Sequence, residues 1–444
     1  MIHRLIHAIT SHMPACVHAK LTDWYARHGL PALMHTCGAK NALAEVLFGK
    51  YTGRRAHARR MARLRQLRQK DNIAVAFQVW DLGMWKSDSL YRLMEQHPRF
   101  TPTIWVLDVP GLDAEQTAAK REKLLAYCRQ KGYQISTCPS WEELDAQVAP
   151  DLVFIADPYM HHINMLPCAL EHLLCYVPYG CQNNIASMGV DCFLHNVAVL
   201  NFRDNELVVQ LAKPLMRNHG CNLKATGLPM IDLFLHGSDS PTPAWKSLSP
   251  PRKKIIYAPH WTIGGSNSFF TVSTFLKTGE IVLQLAQQYA NDVQFAFKPH
   301  PWLYRQLCKT PGWGKEKADA YYAAWQQGEC SQLETGEYRD LFMQSDAMIH
   351  DCGSFIIEYM MANKPCMYLK DKQGYQQYNC IAKEALQCYA QGIEKDEIER
   401  FIQSVISTQA DEYQARREAF RNTYLLPPNG VSAAQNIINC ILES

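Results

Sequence analysis

The sequence lacks the patterns that mark several large classes of protein. It has no G-x-G-x-x-G, P-loop or H-E-x-x-H pattern, which disfavours nicotinamide chemistry, Walker-type ATP use and zinc hydrolysis. No stretch approaches the about 18 apolar residues that span a membrane, and the N-terminus lacks the apolar segment and cleavage site of a secretory signal. We therefore expect a cytosolic protein without a metal or cofactor. A position on the inner face of a membrane stays open as an alternative.

Strong charge and paired cysteines are also missing. Lys and Arg number 45 and Asp and Glu number 42, so the formal net charge is only +3, which argues against a nucleic-acid partner. The 16 cysteines are scattered, none forms a C-x-x-C pair, and Cys366 lies inside an apolar run. These features favour reduced and mostly buried thiols over disulfides.

The first part of the chain is predicted to be a basic helical segment. The length of 444 residues suits two domains of similar size, with residues 1–70 as an additional segment. This segment ends in a dense basic run: Arg54, Arg55, Arg59, Arg60, Arg63, Arg65, Arg68 and Lys70. A solvated helix face is the simpler interpretation. The alternative is attachment of residues 54–70 to anionic lipid, where each basic residue near the surface contributes about 1 kcal/mol.

Short apolar strands alternate with amphipathic helices over residues 71–237. The strand candidates are residues 73–79, 103–107, 133–135 and 152–155, and the helix candidates are residues 89–96, 115–131 and 141–148. Repeated β-α-β units require a parallel sheet with helices on both faces. The pattern predicts a Rossmann-like lobe.

The same alternation restarts after a linker. Residues 238–253 are rich in Ser and Pro and have no apolar periodicity, which is typical of a linker. Residues 254–444 then predict a second Rossmann-type lobe, with a last helix that crosses back to the first lobe. The predicted fold is α/β and GT-B-like, with two lobes facing a central cleft that binds the ligand.

One strand of the second lobe runs into a small turn that suits a phosphate. The segment Asp351-Cys-Gly353-Ser354 follows an apolar strand and precedes a predicted helix over residues 355–362. Backbone N–H groups and the positive end of a helix dipole at such a turn favour an anion. Asp351 would bind a hydroxyl or orient the turn. The alternative is an ordinary helix-capping turn without a ligand.

Two further strand ends of this lobe carry histidines. His300 is held between prolines in Lys298-Pro-His300-Pro301, so it can donate to a diphosphate oxygen while Lys298 adds positive charge. His260 ends the first strand of the lobe. Carboxyl ends of parallel strands collect ligands at one edge of a sheet, so the three loops are expected to converge there. The simpler interpretation of His300 is a solvated loop residue.

The ordered set of these motifs resembles the CDP-glycerol glycerophosphotransferase family, the wall teichoic acid primases and polymerases. The motifs are Thr226-Gly-Leu-Pro-Met-Ile-Asp232, Tyr257-Ala-Pro-His260-Trp261, Lys298-Pro-His300-Pro301 and Asp351-Cys-Gly353-Ser354-Phe355. The resemblance covers roughly residues 150–440. It implies a GT-B enzyme that uses a CDP-activated polyol as donor substrate and no cofactor. Residues 71–237 would then hold the acceptor, and residues 254–444 would hold the nucleotide donor.

The resemblance also implies roles for single residues. His300 matches the family's donor-phosphate histidine, and Asp351 and Ser354 match its phosphate loop. Asn429-Gly-Val-Ser432 resembles a segment that opens a late helix beside the donor, which makes Ser432 a donor-binding candidate. With His260, Lys298 and Gly353 these residues form the expected donor site.

The sequence departs from the family at the expected general base. The family carries a His-Gly-Thr segment in its first lobe, and the matching segment here has Tyr179 in the place of the histidine. Tyrosine has an ordinary pKa of about 10 and is a poor base at neutral pH. Asp88 and His161 follow strand ends of the same lobe and are the alternative candidates, although Asp88 also suits a helix cap.

The resemblance predicts an enzyme that moves a polyol phosphate, glycerol phosphate before ribitol phosphate, from a CDP-activated donor to a cell-envelope glycan or lipid-linked acceptor. CMP would be released. One alternative is a sugar-nucleotide glycosyltransferase of polysaccharide biosynthesis, since the GT-B fold supports both reactions. The other is a non-catalytic scaffold at the membrane periphery. The sequence leaves open the acceptor, the number of units added and the oligomeric state.

Overall fold

The chain folds as two compact units. The computed structural model describes residues 49–108, 114–158, 165–183, 190–236, 243–263, 272–370 and 378–443. Unit 1 contains the chain up to residue 182, residues 186–233 and residues 425–444, and unit 2 contains residues 183–185 and 234–424. The end of the chain therefore belongs to unit 1.

Strands and helices alternate through both units. The strands of the described residues are β1 (Ile73–Val79), β2 (Phe100–Val106), β3 (Ile135–Ser136), β4 (Leu152–Ile155), β5 (Leu173–Tyr176), β6 (Leu200–Arg203), β7 (Leu223–Ala225), β8 (Lys253–Ala258), β9 (Val293–Phe297), β10 (Ser331–Leu333), β11 (Ala347–His350), β12 (Cys366–Leu369) and β13 (Ala390–Gly392). The α-helices of the described residues are α1 (Arg54–Leu67), α2 (Asp88–Gln96), α3 (Ala114–Lys131), α4 (Trp141–Val148), α5 (Met165–Glu171), α6 (Phe193–Val197), α7 (Glu206–Ala212), α8 (Pro229–His236), α9 (Phe275–Gln288), α10 (Leu303–Leu307), α11 (Gly314–Gln327), α12 (Arg339–Gln344), α13 (Phe355–Glu358), α14 (Cys380–Leu386), α15 (Lys395–Ile406), α16 (Gln414–Phe420) and α17 (Ala433–Glu443).

Unit 1 is built on a seven-stranded sheet in the order β3-β2-β1-β4-β5-β6-β7. Every strand pair in it is parallel. Apolar side chains alternate between its two faces: Phe77 belongs to one buried cluster and Ala76 to another. Burial on both faces explains the nearly continuous apolar strands of this part of the sequence.

Unit 2 repeats the plan with a six-stranded sheet in the order β10-β9-β8-β11-β12-β13, again with parallel pairs. The strand order reverses between β8 and β11, because the chain first adds strands on one side of β8 and then on the other. Ligands of open α/β sheets bind outside the carboxyl ends of the strands at such a reversal. The two helix-flanked parallel sheets confirm the predicted α/β fold.

The predicted basic segment and linker can be compared with the described residues. Of the predicted basic helical segment, residues 1–48 lie outside the described part of the chain, and α1 covers most of the basic run. Described residues 243–252 of the predicted linker form neither helix nor strand, yet Trp245 bonds to the Leu341 carbonyl (Nε1 to O, 3.3 Å). The predicted domain limits at residues 70, 237 and 253 stay predictions.

The structure also bears on the predictions for the cysteines and for membrane-spanning segments. The cysteines that the structure describes are free thiols, and most are buried. Over the described ranges, no helix is both long and apolar enough to cross a membrane.

Candidate active site

Three polar loops meet at the carboxyl edge of the unit 2 sheet. They follow β8, β9 and β11, which are neighbours in that sheet. The backbone N–H of His300 donates to the carbonyl of Pro259 (3.0 Å), and the backbone N–H of His260 donates to Oδ1 of Asp351 (2.5 Å). The structure thus brings together His260, His300 and Asp351 across the reversal of strand order.

The His260 ring is held in one tautomer by its own loop. Nδ1 of His260 lies 2.9 Å from Oγ1 of Thr262 and accepts the backbone N–H of Thr262 at 3.4 Å. A backbone N–H can only donate, so Nδ1 is the acceptor and the ring carries its proton on Nε2. Burial lowers the pKa of His260 to about 3, so the imidazole is neutral at physiological pH.

The His300 ring has the same arrangement. Its Nδ1 accepts the backbone N–H of Trp302 at 3.2 Å, which again leaves the ring proton on Nε2. The prolines on either side of His300 restrict the backbone. This restriction favours the hydrogen bond between Trp302 and the imidazole two residues before it.

The two imidazoles lie side by side in an aromatic cluster. The ring centroids of His260 and His300 are 5.0 Å apart, with the rings inclined by 64°. Trp261 lies 6.0 Å from His300 and 5.1 Å from Trp302, whose side chain is exposed. Two Nε2–H groups at one sheet edge can both donate to the oxygens of a single diphosphate.

Asp351 is fully buried between these loops. Oδ2 accepts bonds from the backbone N–H of Thr274 (2.5 Å), Oγ1 of Thr274 (2.9 Å) and Oγ of Ser273 (3.2 Å), in addition to the His260 bond at Oδ1. Burial raises the pKa of Asp351 to about 6, and the donated hydrogen bonds oppose that rise.

The turn after Asp351 is only partly the helix start that the sequence predicts. The α-helical part α13 ends at Glu358, and a 3₁₀ turn continues over Tyr359–Ala362. Ser354 occupies the position before α13, and its side chain makes no capping bond. Gly353 is buried, and its carbonyl accepts the N–H of Ile356 (3.3 Å). With four α-helical residues, the dipole contribution expected at this turn is small.

Lys298 is directed toward the loop after β10. Its Nζ donates to the carbonyl of Gly336 (2.8 Å) and lies 5.4 Å from the ring centre of Tyr338. The hydroxyl of Tyr338 donates in turn to the buried carboxylate of Glu358. Lys298 therefore ties the end of β9 to the loop after β10, and its assignment to the donor stays a prediction.

Ser432 lies in unit 1, at the start of α17. Its Oγ accepts the N–H of Gln435 (3.1 Å), which is a helix cap. The next two amides donate to Asp232, Ala433 to Oδ1 (2.8 Å) and Ala434 to Oδ2 (2.9 Å). A protein carboxylate thus occupies the helix N-terminus that the family resemblance assigned to the donor.

The candidate bases also belong to unit 1. Asp88 opens α2, and its Oδ1 accepts the hydroxyls of Tyr127 (2.8 Å) and Tyr133. Tyr179 follows β5 and is 40% exposed, so it is accessible to an acceptor. His161 lies outside the described residues. The choice among the three stays open.

The structure adds residues that sequence reasoning missed. Thr262 fixes the His260 tautomer, and Ser273 and Thr274 bind Asp351. Ser273 and Thr274 immediately precede α9, so a Ser-Thr pair before an amphipathic helix was the available signal. That signal predicts a cap but does not predict the distant carboxylate.

Comparison with known proteins agrees with this architecture. A protein from Listeria monocytogenes described as a UDP-N-acetylglucosamine 2-epimerase has a TM-score of 0.55 and 13% identity, covering 84% of this chain and 96% of its own. The wall teichoic acid polymerase TagF has a TM-score of 0.51 and 12% identity, covering 92% and 97%. A TagF variant soaked with CDPG has a TM-score of 0.51 and 13% identity, covering 92% and 96%. At these identities the likeness shows the GT-B-like fold alone.

Sequence comparison gives the family. No curated protein matches the chain. The family model described as CDP-glycerol:poly(glycerophosphate) glycerophosphotransferase matches residues 214–443, which is more than half of the chain. The match includes the loops that carry His260, His300 and Asp351. The chain therefore belongs to the CDP-glycerol:poly(glycerophosphate) glycerophosphotransferase family and is a transferase.

Proposed function

We propose that this enzyme transfers glycerol phosphate from CDP-glycerol to a hydroxyl of a cell-envelope glycan or lipid-linked acceptor and releases CMP. The observation that carries the proposal is the pair of imidazoles, His260 and His300, with ring centroids 5.0 Å apart at the unit 2 sheet edge. Family membership and the CDPG soaked into TagF support CDP-glycerol as the donor.

The proposed reaction is a phosphoryl transfer. The acceptor oxygen attacks the β-phosphorus, the bond from that phosphorus to the oxygen bridging the two phosphates breaks, and CMP leaves with the bridging oxygen. Negative charge collects on the phosphoryl oxygens, so positioned hydrogen-bond donors supply most of the stabilisation. The Nε2–H groups of His260 and His300 suit this task because they donate without a change in protonation.

The acceptor proton goes to another group. A ring that carries its proton on Nε2 cannot accept a second one there, so the tautomers of His260 and His300 disfavour both as the general base. We propose that the base comes from Asp88, Tyr179 or His161, as the sequence predicts.

Substrate profiling tests the donor. The protein is incubated with CDP-glycerol, CDP-ribitol and a set of UDP- and GDP-sugars, with a bacterial membrane extract as the acceptor source. Release of CMP supports the proposal. Release of UDP or GDP instead supports the glycosyltransferase alternative, and the absence of any nucleotide product supports the scaffold.

His300→Ala tests the site. We expect this variant to lose transfer by about a hundredfold or more while its circular dichroism stays native, since removing one such donor costs about 10²–10³ in turnover. Lys309→Ala, at an exposed lysine of unit 2, is the control and keeps full activity. Undiminished transfer by His300→Ala would remove the assignment.

We also propose that the enzyme lies on the inner face of an anionic membrane through α1. Part of the basic run is engaged within unit 1: Arg60 donates to the Tyr51 carbonyl (2.9 Å) and Arg68 to the Ile441 carbonyl (2.8 Å). Arg55, Arg59 and Arg63 are exposed and spaced four residues apart, so they lie on one helix face. Arg63 also donates to the Glu171 carbonyl (2.9 Å).

Vesicle sedimentation tests the membrane proposal. The wild type should sediment with phosphatidylglycerol vesicles and not with phosphatidylcholine vesicles. Replacing Arg55, Arg59 and Arg63 by glutamate should abolish sedimentation and leave CDP-glycerol affinity unchanged. Equal sedimentation of wild type and variant would contradict the proposal.

A further inference from the structure

The carboxylate of Asp351 joins three separate parts of unit 2. It follows β11, it accepts the backbone N–H of His260 after β8, and it accepts three bonds from Ser273 and Thr274 at the start of α9. These partners lie 77 to 91 positions away in the sequence. A single buried side chain therefore sets the relative positions of the strand ends and the helix.

The hydrogen-bonding capacity of Asp351 is used within the protein. A carboxylate offers about four lone-pair sites, and four protein donors approach this one. The side chain is also fully buried. A phosphate of the nucleotide donor is an anion and would be repelled by the Asp351 carboxylate. The carboxylate also has no N–H or O–H group that could donate a hydrogen bond to the phosphate.

A second set of bonds fixes the ring of His260 from the other side. The backbone N–H of Val272 donates to Oγ1 of Thr262 (3.1 Å). Because Nδ1 of His260 accepts the backbone N–H of Thr262, the Thr262 hydroxyl also donates its proton to Nδ1, over 2.9 Å. The Asp351 bond holds the His260 backbone while the Thr262 bond holds its imidazole, and together they determine which ring nitrogen carries the proton.

We infer that Asp351 is a positioning residue: it holds His260, with Thr262, as an Nε2–H donor for the diphosphate of the nucleotide donor and does not contact the donor itself. The inference rests on the proposed function. It replaces the direct donor contact that the sequence predicts for Asp351, and it gives Thr262, Ser273 and Thr274 a role in donor binding.

A double-mutant cycle tests the inference. CDP-glycerol affinity is measured by isothermal titration calorimetry for the wild type, Asp351→Asn, His260→Ala and the double variant. We expect each single change to weaken binding by about tenfold, the effect of one hydrogen bond to a charged group. The double variant should bind no more than about twofold worse than His260→Ala, because Asp351 acts through His260. Losses that multiply would overturn the inference.

Thr262→Val is a second variant that tests the inference, and it removes no charge. It deletes the hydroxyl and nearly keeps the shape, so it remains usable if Asp351→Asn fails to fold. We expect it to weaken CDP-glycerol binding in the wild type but not in the His260→Ala background. Thr262→Val removes the 2.9 Å bond to Nδ1 and leaves only the longer backbone bond at 3.4 Å. In protein labelled with ¹⁵N-histidine, the His260 signals should therefore shift from a single Nε2–H tautomer toward a mixture. An unchanged tautomer would count against the inference.

The same measurements separate this inference from the proposed function. If His260→Ala and His300→Ala both leave CDP-glycerol affinity unchanged, the donor site itself is wrong. If both variants weaken binding, and the loss of affinity in the Asp351→Asn/His260→Ala double variant equals the product of the two single losses, the donor site stands. Only the positioning role of Asp351 then fails.

Discussion

Replacing Asp232 by alanine should loosen the end of the chain from unit 1. The buried Asp232 carboxylate accepts the first two amides of α17, from Ala433 and Ala434, and the hydroxyl of Ser89 (3.0 Å). These bonds join the start of α2, the α8 segment and the last helix, which lie far apart in the sequence. Asp232→Ala removes the acceptor for the two amides, whereas the Ser89 hydroxyl still reaches the Pro229 carbonyl (3.0 Å).

The size of the destabilisation follows from the hydrogen bonds that Asp232→Ala removes. A helix cap contributes about 1 kcal/mol, and each buried donor left without an acceptor costs about 1–3 kcal/mol. Fraying of the first turn of α17 would relieve part of this cost. We therefore expect Asp232→Ala to destabilise the docked α17 by about 3 kcal/mol, which corresponds to about a hundredfold in its opening equilibrium.

Hydrogen exchange measured by mass spectrometry is the assay. Amides of α17 should exchange about a hundredfold faster in Asp232→Ala, while amides of the unit 2 strands keep their rates. Ser432→Ala is the matched control, because it removes only the cap to Gln435 and should cost about 1 kcal/mol. Equal exchange of α17 in both variants, or no change in Asp232→Ala, would refute the reasoning.

Two further predictions concern backbone geometry and pH. Gly227 has a φ of +76° and an added Cβ would lie 2.9 Å from Cβ of Pro427, so Gly227→Ala should lower the free energy of unfolding by about 2 kcal/mol, measured by urea denaturation; a loss below about 0.5 kcal/mol would contradict this. The folded pKa of Asp351, about 6, exceeds its ordinary value of 3.8, so the folded state binds the proton more readily and the associated stability, present below about pH 4, is lost as the pH rises through 6. The free energy of unfolding of the wild type relative to Asp351→Asn should thus increase by about 2 kcal/mol from pH 7 to pH 4 in urea titrations, and a constant difference would contradict the burial argument.

The sequence predicts the sheets and the sheet edge well, for a physical reason. Apolar strands alternating with helices require parallel sheets, and the carboxyl ends of neighbouring parallel strands share one edge. His260, His300 and Asp351 each follow such a strand, so their convergence follows from topology. The family resemblance then supplied the donor class, which topology alone does not contain.

The sequence does not predict which distant groups pair. The bond from Thr274 to Asp351 spans 77 positions and the bond from Ala433 to Asp232 spans 201, and local patterns carry no information about either. The sequence predicts that Asp351 faces the donor and that Ser432 opens a helix that binds it, and both donor contacts stay predictions. The helix start at Ser432 was predicted well, but the carboxylate that binds its amides was not predicted.

A structure determined after soaking with CDP-glycerol tests the central claim most directly. The account predicts that a diphosphate oxygen lies within hydrogen-bonding distance of Nε2 of His260 and Nε2 of His300, with Asp351 still bonded to Thr274. A diphosphate bound away from both imidazoles, or one in contact with the Asp351 carboxylate, would contradict it.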